Sequence, residues 1–418
     1  MQHTDGLHTD WKKRTTLFLA SQAISLFGSS LVAYAITWHI TLETQSGTMM
    51  TISILCSFLP LLLLSPFTGV WADRYHRKRL VALSDAFTAV VTLALAIVFI
   101  SGYKALWLLF AALALRAVGQ AIQMPAVGAM LPQMVPEDKL TKVNAINGSI
   151  QSVVMLASPM LSGALLTLAS IESIFFIDVV TAAIAVLIVA AFLKVPPHAK
   201  AAQKQTTSHL ADMKSGVVYI WNHGFVKLFL LFSAAFFFLA SPVAFLSPLQ
   251  VTRTFGNDVW RLTAIEIAFS VGTAAGGLII AAWGGFRNKM YTVILACLIF
   301  GVLTFALGVT PWFWVYCAFM LVLGIAMPFY GTPATVLLQQ KVDPDYMGRV
   351  LSILTMMQSS VMPLGMLLFG PMADYVKIEW MMIITGALMF VTGLGILGNK
   401  ALIQAGKQTK PAENAATE

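Results

Sequence analysis

Charged side chains are scarce in this chain, so those inside apolar stretches point to its chemistry. Arg116 sits in a long apolar run with Gln120 and Gln123 following at i+4 and i+7, which puts a cation and two amides on one helix face. A cation near the middle of a membrane span costs about 2.5–3.5 kcal/mol on insertion scales, so it needs a polar partner or a water-filled cavity. The alternative is a structural arginine bonded to neighbouring carbonyls. Glu266 heads a second stripe with Thr263, Ser270, Thr273 and Gly277, about 9 Å along its helix from the outer end. A carboxylate there is a candidate to take up and release a proton, or else an outer-rim charge paired with Arg261 or Arg253. Asp178 lies at a similar depth, as a third candidate for proton transport or as a structural acid. Gln22, Ser25 and Ser29, and further on Asn144, Asn147, Gln151, Ser158 and Ser162, form two more polar faces that line a path or act as ordinary helix-packing glue.

The densest charge cluster is Gly69-Val-Trp-Ala-Asp73-Arg74-Tyr-His-Arg77-Lys78-Arg79. Gly69 and Asp73 share a helix face four residues apart. The glycine would admit a neighbouring helix, and the aspartate then needs a partner. Asp85, a few residues into the next apolar run, is expected to close a charge network with Asp73 and Arg77. The plainer reading makes Arg74 to Arg79 a topology anchor.

These residues must be carried by membrane helices. Of the 418 residues, 58% are hydrophobic and 11% charged, with mean hydropathy +0.81, whereas a soluble domain carries about a quarter charged residues. Runs of about 20 apolar residues place spans near 15–40, 50–71, 80–101, 104–130, 144–168, 173–194, 225–251, 260–283, 290–309, 312–338, 351–372 and 379–399. The fold class is therefore an all-α membrane protein with twelve transmembrane helices. The expected organisation is a six-helix bundle over 1–194, a cytoplasmic linker over 195–223, a second six-helix bundle over 224–400 and a cytoplasmic tail over 401–418. Of the 26 Lys and Arg, 21 lie at the termini, the central linker or the even-numbered loops and their span ends, and 4 in the odd-numbered loops. That bias puts both termini, the Asp73 loop and the linker in the cytoplasm. No cleavable signal is expected before the first span.

The net charge of +8 reads as topology, not as a nucleic-acid footprint. Cys56, Cys297 and Cys317 lie in apolar stretches without Cys-x-x-Cys spacing, so neither disulfides nor a metal site are expected. No Gly-x-x-x-x-Gly-Lys-Ser/Thr loop, His-Glu-x-x-His or Gly-x-Ser-x-Gly occurs, which argues against ATP drive within the chain and against a membrane enzyme. No cofactor is implied, and a separate ATPase partner stays open.

The halves repeat. Pro125-Ala126 and Pro136 recur as Pro333-Ala334 and Pro344 at an offset of 208, as do Gly69 and Arg79 at Gly277 and Arg287. Gln151-Ser152 recurs as Gln358-Ser359 one residue out of step. An even number of spans separates the copies, so the repeat is parallel, about an axis along the membrane normal.

With these features the chain resembles the major facilitator superfamily. Gly69-x-x-x-Asp73-Arg74-x-x-Arg77-Lys78-Arg79 resembles its signature loop between helices 2 and 3, with His76 and Trp71 where glycine and leucine are usual. Trp11-Lys, Gln22-Ala-Ile-Ser-Leu, Leu140-Thr-Lys, Phe329-Tyr, Tyr346-Met-Gly-Arg349-Val and Ala373-Asp374 are similar to the macrolide-efflux (Mef-type) proteins. Arg116-Ala-Val-Gly-Gln120 resembles the helix-4 motif of drug–proton antiporters. Ser158-Pro159-Met-Leu-Ser162-Gly163 resembles their helix-5 motif, with serines for two glycines. The resemblance implies a secondary exporter in a bacterial-type inner (plasma) membrane, moving a hydrophobic drug-like compound, such as a macrolide antibiotic, against protons by alternating access. It also implies that Asp73 latches the cytoplasmic ends of the halves near Arg349 in the outward-facing state. A proton-coupled nutrient importer and a non-transporting membrane receptor or scaffold are the alternatives.

Overall fold

The structure is a computed structural model that describes residues 11–193 and 209–406, except for the side chains of residues 66, 73, 209–214, 344 and 345. Its ordered elements are helices, as the bilayer demands, because backbone N–H and C=O groups in lipid must be satisfied within the chain. They are α1 (Trp11–Thr44), α2 (Gly47–Arg74), α3 (Arg77–Ile100), α4 (Leu106–Met134), α5 (Glu137–Leu168) and α6 (Ile171–Leu187, running on through a π turn at Ile188–Phe192). Then come α7 (His209–Asn222), α8 (Gly224–Phe245), α9 (Ser247–Phe255), α10 (Val259–Trp283), α11 (Lys289–Val309), α12 (Phe313–Lys341), α13 (Pro344–Met372), α14 (Ile378–Gly398) and the short α15 (Lys400–Ala405). Among the described residues twelve helical segments are long and apolar enough to cross a membrane, with α8 and α9 together supplying one of them.

Several helices outrun their apolar runs. The fourth span ends at residue 130 by hydropathy, yet α4 continues to Met134, and α5 starts at Glu137 where apolarity begins only near 144. Hydropathy reads lipid contact, whereas a helix propagates until something stops it. Here the stop is the dipeptide Val135-Pro136, with Pro136 as the N-cap of α5. The second half does the same: α12 and α4 are both 29 residues long, and α13 opens with Pro344 at its first turn. The seventh span is broken at Leu246 between Pro242 and Pro248, so α8 hands over to the nine-residue α9. The second part of the linker is helical: α7 stacks Tyr219 on Tyr346 of α13 at 4.4 Å, and Tyr219 Oη accepts from the Asp343 N–H at 3.1 Å. The remainder of the linker, residues 1–10 and residues 407–418 lie outside the described residues.

Packing divides the chain into two compact units, one built mainly from α1–α6 and the other from α7–α9, most of α10 and α11–α15. In the first, two apolar clusters lie along α1. One joins Leu31, Ile36, Phe99 and Phe175, and the other joins Phe18, Val81, Met130, Val143 and Val189. The polar groups described below lie on the α1 segment between them. Gly28 permits this, since a Cβ there would strike Thr181 and Asp178 of α6. In the second unit, α11 packs against α12 and α14. Tyr330 of α12 stacks on Phe236 of α8 at 4.6 Å, and its hydroxyl donates to Ser233 Oγ at 2.7 Å. Gln250 of α9 donates to the Leu307 carbonyl and accepts from Tyr316 Oη, so the broken end of the seventh span is held by buried hydrogen bonds.

Candidate functional site

Three of the polar constellations read from the sequence have definite geometry, and each lies within one unit.

In the first unit, Arg116 projects from α4 and is 8% exposed. Its Nη1 donates to Asp178 Oδ2 of α6 at 2.5 Å and to Thr92 Oγ1 of α3, and its Nη2 donates to the Ser29 carbonyl of α1 at 3.2 Å. Thr92 also donates to Asp178 at 2.9 Å. One buried ion pair thus ties four helices, joining two of the expected proton-transport residues to each other. Thr92 was invisible to sequence reasoning, because a threonine in an apolar run gives no signal until its neighbours are known.

Asp85 lies on the same side of α3. It belongs with this cavity and not with the loop charges: its Oδ1 accepts from Ser25 Oγ and from Gln123 Nε2, both at 2.6 Å. Arg77 and Asp85 are eight residues apart, about 12 Å along the helix, and Arg77 donates instead to the Ala72 and Ala129 carbonyls. Gln22 completes the cluster, its Oε1 facing Gln123 Nε2 at 3.4 Å. Asp85, Arg116, Gln120, Gln123, Ser29 and Ser57 are among the residues lining a cavity of about 170 Å³.

The rest of the expected path differs. Ser158 is fully buried and Pro159 buried with it on the packed side of α5, where the next turn's Ser162 donates to the Leu31 carbonyl of α1. This face is helix glue, as small polar residues at helix contacts often are. Gln151 is exposed and does not line this cavity.

The basic loop ties helix ends. Arg77 Nε donates to the Ala72 carbonyl near the end of α2, and its Nη1 to the Ala129 carbonyl near the end of α4. Lys78 Nζ donates to the Ala190 carbonyl in the π turn after α6. Cations here meet the negative ends of three helices, a favourable placement worth about 0.3–1 kcal/mol each when exposed. Arg74 and Arg79 are exposed. Gly69 is exposed and a Cβ there would meet nothing within 4 Å, so the expected close helix approach at this glycine is absent among the described residues; its repeat mate Gly277 is equally open. The Asp73 side chain lies outside the described residues. Arg349 sits in the first turns of α13, with its guanidinium over the Tyr346 ring and its Cβ beside Gly216 of α7.

In the second unit, Glu266 lines an apolar cavity of about 130 Å³ with Phe236, Phe237, Phe269, Phe300, Met320 and Met362 among its walls. The two arginines that might have paired with it are engaged elsewhere. Arg253 donates to the Ala373 carbonyl and meets Asp374, and Arg261 pairs with Asp258 and covers the Trp260 ring. Among the described residues nothing hydrogen-bonds or ion-pairs with the Glu266 carboxylate. What places it there is a glycine notch. Gly272 and Gly276 of α10 lie against the Leu321 and Ile325 carbonyls of α12, and Gly324 of α12 lies against the Phe269 carbonyl. Two backbones in contact bring Glu266 and Phe269 over Met320, Leu323 and Met327. This notch escaped sequence reasoning, its one signal being the Gly272-x-x-x-Gly276 spacing, and Met320, Met327 and Met362 were lost among twenty-one methionines.

A protein with twelve candidate spans, a polar cavity in one unit and an acid-bearing apolar cavity in the other is of the transporter class. The chain belongs to the Major Facilitator Superfamily, whose profile matches residues 18–366. It is similar to "Macrolide efflux protein A" of Streptococcus pyogenes, at 28% identity over 384 residues, covering 91% of this chain and 95% of that one. It is also similar to the "Uncharacterized MFS-type transporter YfiS" of Bacillus subtilis (strain 168), at 24% over 410 residues, covering 94% and 95%. Among solved structures, a bacterial homolog to the human lysosomal transporter Spinster, inward-facing and unoccupied, superposes with TM-score 0.67 at 14% identity, covering 95% of this chain and 97% of that one. The nucleoside transporter NupG gives 0.65 at 15%, covering 93% and 98%. At those identities the likeness is one of fold.

Proposed function

We propose that the protein exports a hydrophobic, drug-like compound in exchange for protons, by alternating access, from a bacterial-type inner membrane in which both termini face the cytoplasm. The observation that carries this reading is Glu266: an acid without a partner among the described residues, in a cavity walled by phenylalanine and methionine. Adaptable apolar walls suit compounds of varied shape, and a lone carboxylate in such walls holds either a proton or a cationic group of the ligand. A site that accepts one or the other in turn exchanges them across the membrane. The cavity is too small for a whole macrolide, so it would receive a part of one, such as an amine-bearing ring. The similarity to a macrolide efflux protein supports this substrate class.

Arg116 and Asp178 serve as a fixed neutral pair that shapes the first unit's cavity, with Gln120 and Gln123 lining it and Gln22 behind Gln123. Asp73, with Arg74, Arg77, Lys78 and Arg79, would serve as the cytoplasmic gate. The test is drug accumulation in cells lacking their own pumps. Expressing cells should retain less erythromycin-like compound than controls, and a proton uncoupler should abolish the difference. Export that survives uncoupling removes the proton from the reading.

A further inference from the structure

We propose that Asp85 is a second proton-binding site, carried in its neutral, protonated form by the first unit and held there by Ser25 and Gln123. This extends the proton-driven reading above for its use in transport, while the protonation itself stands without it.

The geometry is that of a carboxylic acid. Asp85 is 3% exposed inside a membrane-spanning helix. Both of its hydrogen bonds go to one oxygen, Oδ1, as they would to a carboxyl C=O. The other oxygen, Oδ2, is buried and without a partner among the described residues. An ionised group in that setting would leave half its charge unmet, a heavier penalty than one unpaired hydroxyl.

Among the described residues the surroundings offer no compensating charge. The cation sharing the cavity, Arg116 of α4, is committed to Asp178 of α6, and the pair sums to zero. α1 presents Gln22 and Ser25, and α2 presents Ser57, all neutral. The π turn Ile188–Phe192 holds no titratable residue. On α3 itself Arg77, Lys78 and Arg79 lie about 9–12 Å away along the helix, and Arg77 and Lys78 donate to carbonyls.

On release the Oδ2–H bond breaks, the electron pair stays on the carboxylate, and the proton would pass to a water entering the adjoining cavity that Asp85 lines. Gln22 Nε2, buried and without a partner among the described residues, belongs to the same hydrogen-bonded chain through Gln123. An orphan acceptor and an orphan donor in one cluster mark a site built for two charge states.

The experiment is infrared spectroscopy of the purified, lipid-reconstituted protein near neutral pH without substrate. Wild type should show a protonated-carboxyl C=O band that Asp85→Asn loses and Glu266→Gln keeps. In Ser25→Ala, a milder change, that band should move to higher frequency, because the C=O loses a donor. A spectrum in which Asp85→Asn removes nothing, or in which Ser25→Ala moves no carboxyl band, overturns the proposal. Proton counting separates this from the wider reading. If wild type moves protons with substrate, Asp85→Asn should move fewer per compound, and an unchanged count overturns its role in transport. If wild type moves none, antiport fails while the infrared result still decides Asp85.

Discussion

Removing the guanidinium from the Arg116–Asp178 pair should cost far more than removing both charges together. Asp178 is fully buried, and its Oδ2 takes Arg116 Nη1 at 2.5 Å and Thr92 Oγ1 at 2.9 Å, while Ser29 Oγ stands 3.4 Å from Oδ1. In Arg116→Leu the carboxylate keeps one good neutral bond, worth about 1 kcal/mol, and one marginal contact. That cannot replace a cation, so the loss belongs in the range of about 3–5 kcal/mol seen when a buried pair is broken. Asp178→Leu should cost less, because Arg116 lines the cavity and keeps a route to water and to the Ser29 carbonyl. The double variant Arg116→Leu with Asp178→Leu should fall within about 1–2 kcal/mol of wild type, since two apolar side chains of similar size can replace the pair and Thr92 retains its bond to the Thr88 carbonyl. The double-mutant cycle should therefore show a coupling of at least about 2 kcal/mol. Unfolding in mixed micelles, with both unfolding midpoint and slope recorded, measures it. Additive single effects, each under about 1 kcal/mol, would refute the idea that this pair holds four helices.

Two further substitutions probe the helix contacts and the gate. Gly272→Ala should destabilise by about 1–3 kcal/mol and lower transport, because a Cβ there collides with the Leu321 carbonyl and spreads α10 from α12; Gly277→Ala, with open space around it, should be neutral or slightly stabilising by the same unfolding assay. Asp73→Asn should slow export without altering which compounds bind, and a changed substrate profile in a resistance panel would rule out a gate.

Much of the fold could be read from hydropathy because lipid imposes a length and a composition on each span. What hydropathy missed lies where helices obey other rules. α5 extends to Glu137 because only Pro136 stops the chain, and α7 forms in a stretch whose polarity reads as linker. The site was legible one residue at a time: Arg116, Asp178, Glu266 and Asp85 stand out as charges where charge is costly. Their partners did not, because pairing Arg116 with Asp178 across 62 residues, or Asp85 with Ser25 across 60, depends on which helices pack together. Ser158 and Pro159, expected on the path, are instead buried against neighbouring helices, which polarity and spacing along one helix do not reveal.

The proposed export runs on a proton carried at Glu266. In proteoliposomes of known orientation with an imposed pH gradient, wild type should concentrate a labelled macrolide uphill. Glu266→Gln should only equilibrate it, with binding retained. Uphill accumulation by Glu266→Gln equal to wild type, or accumulation by wild type that ignores the gradient, would contradict the account.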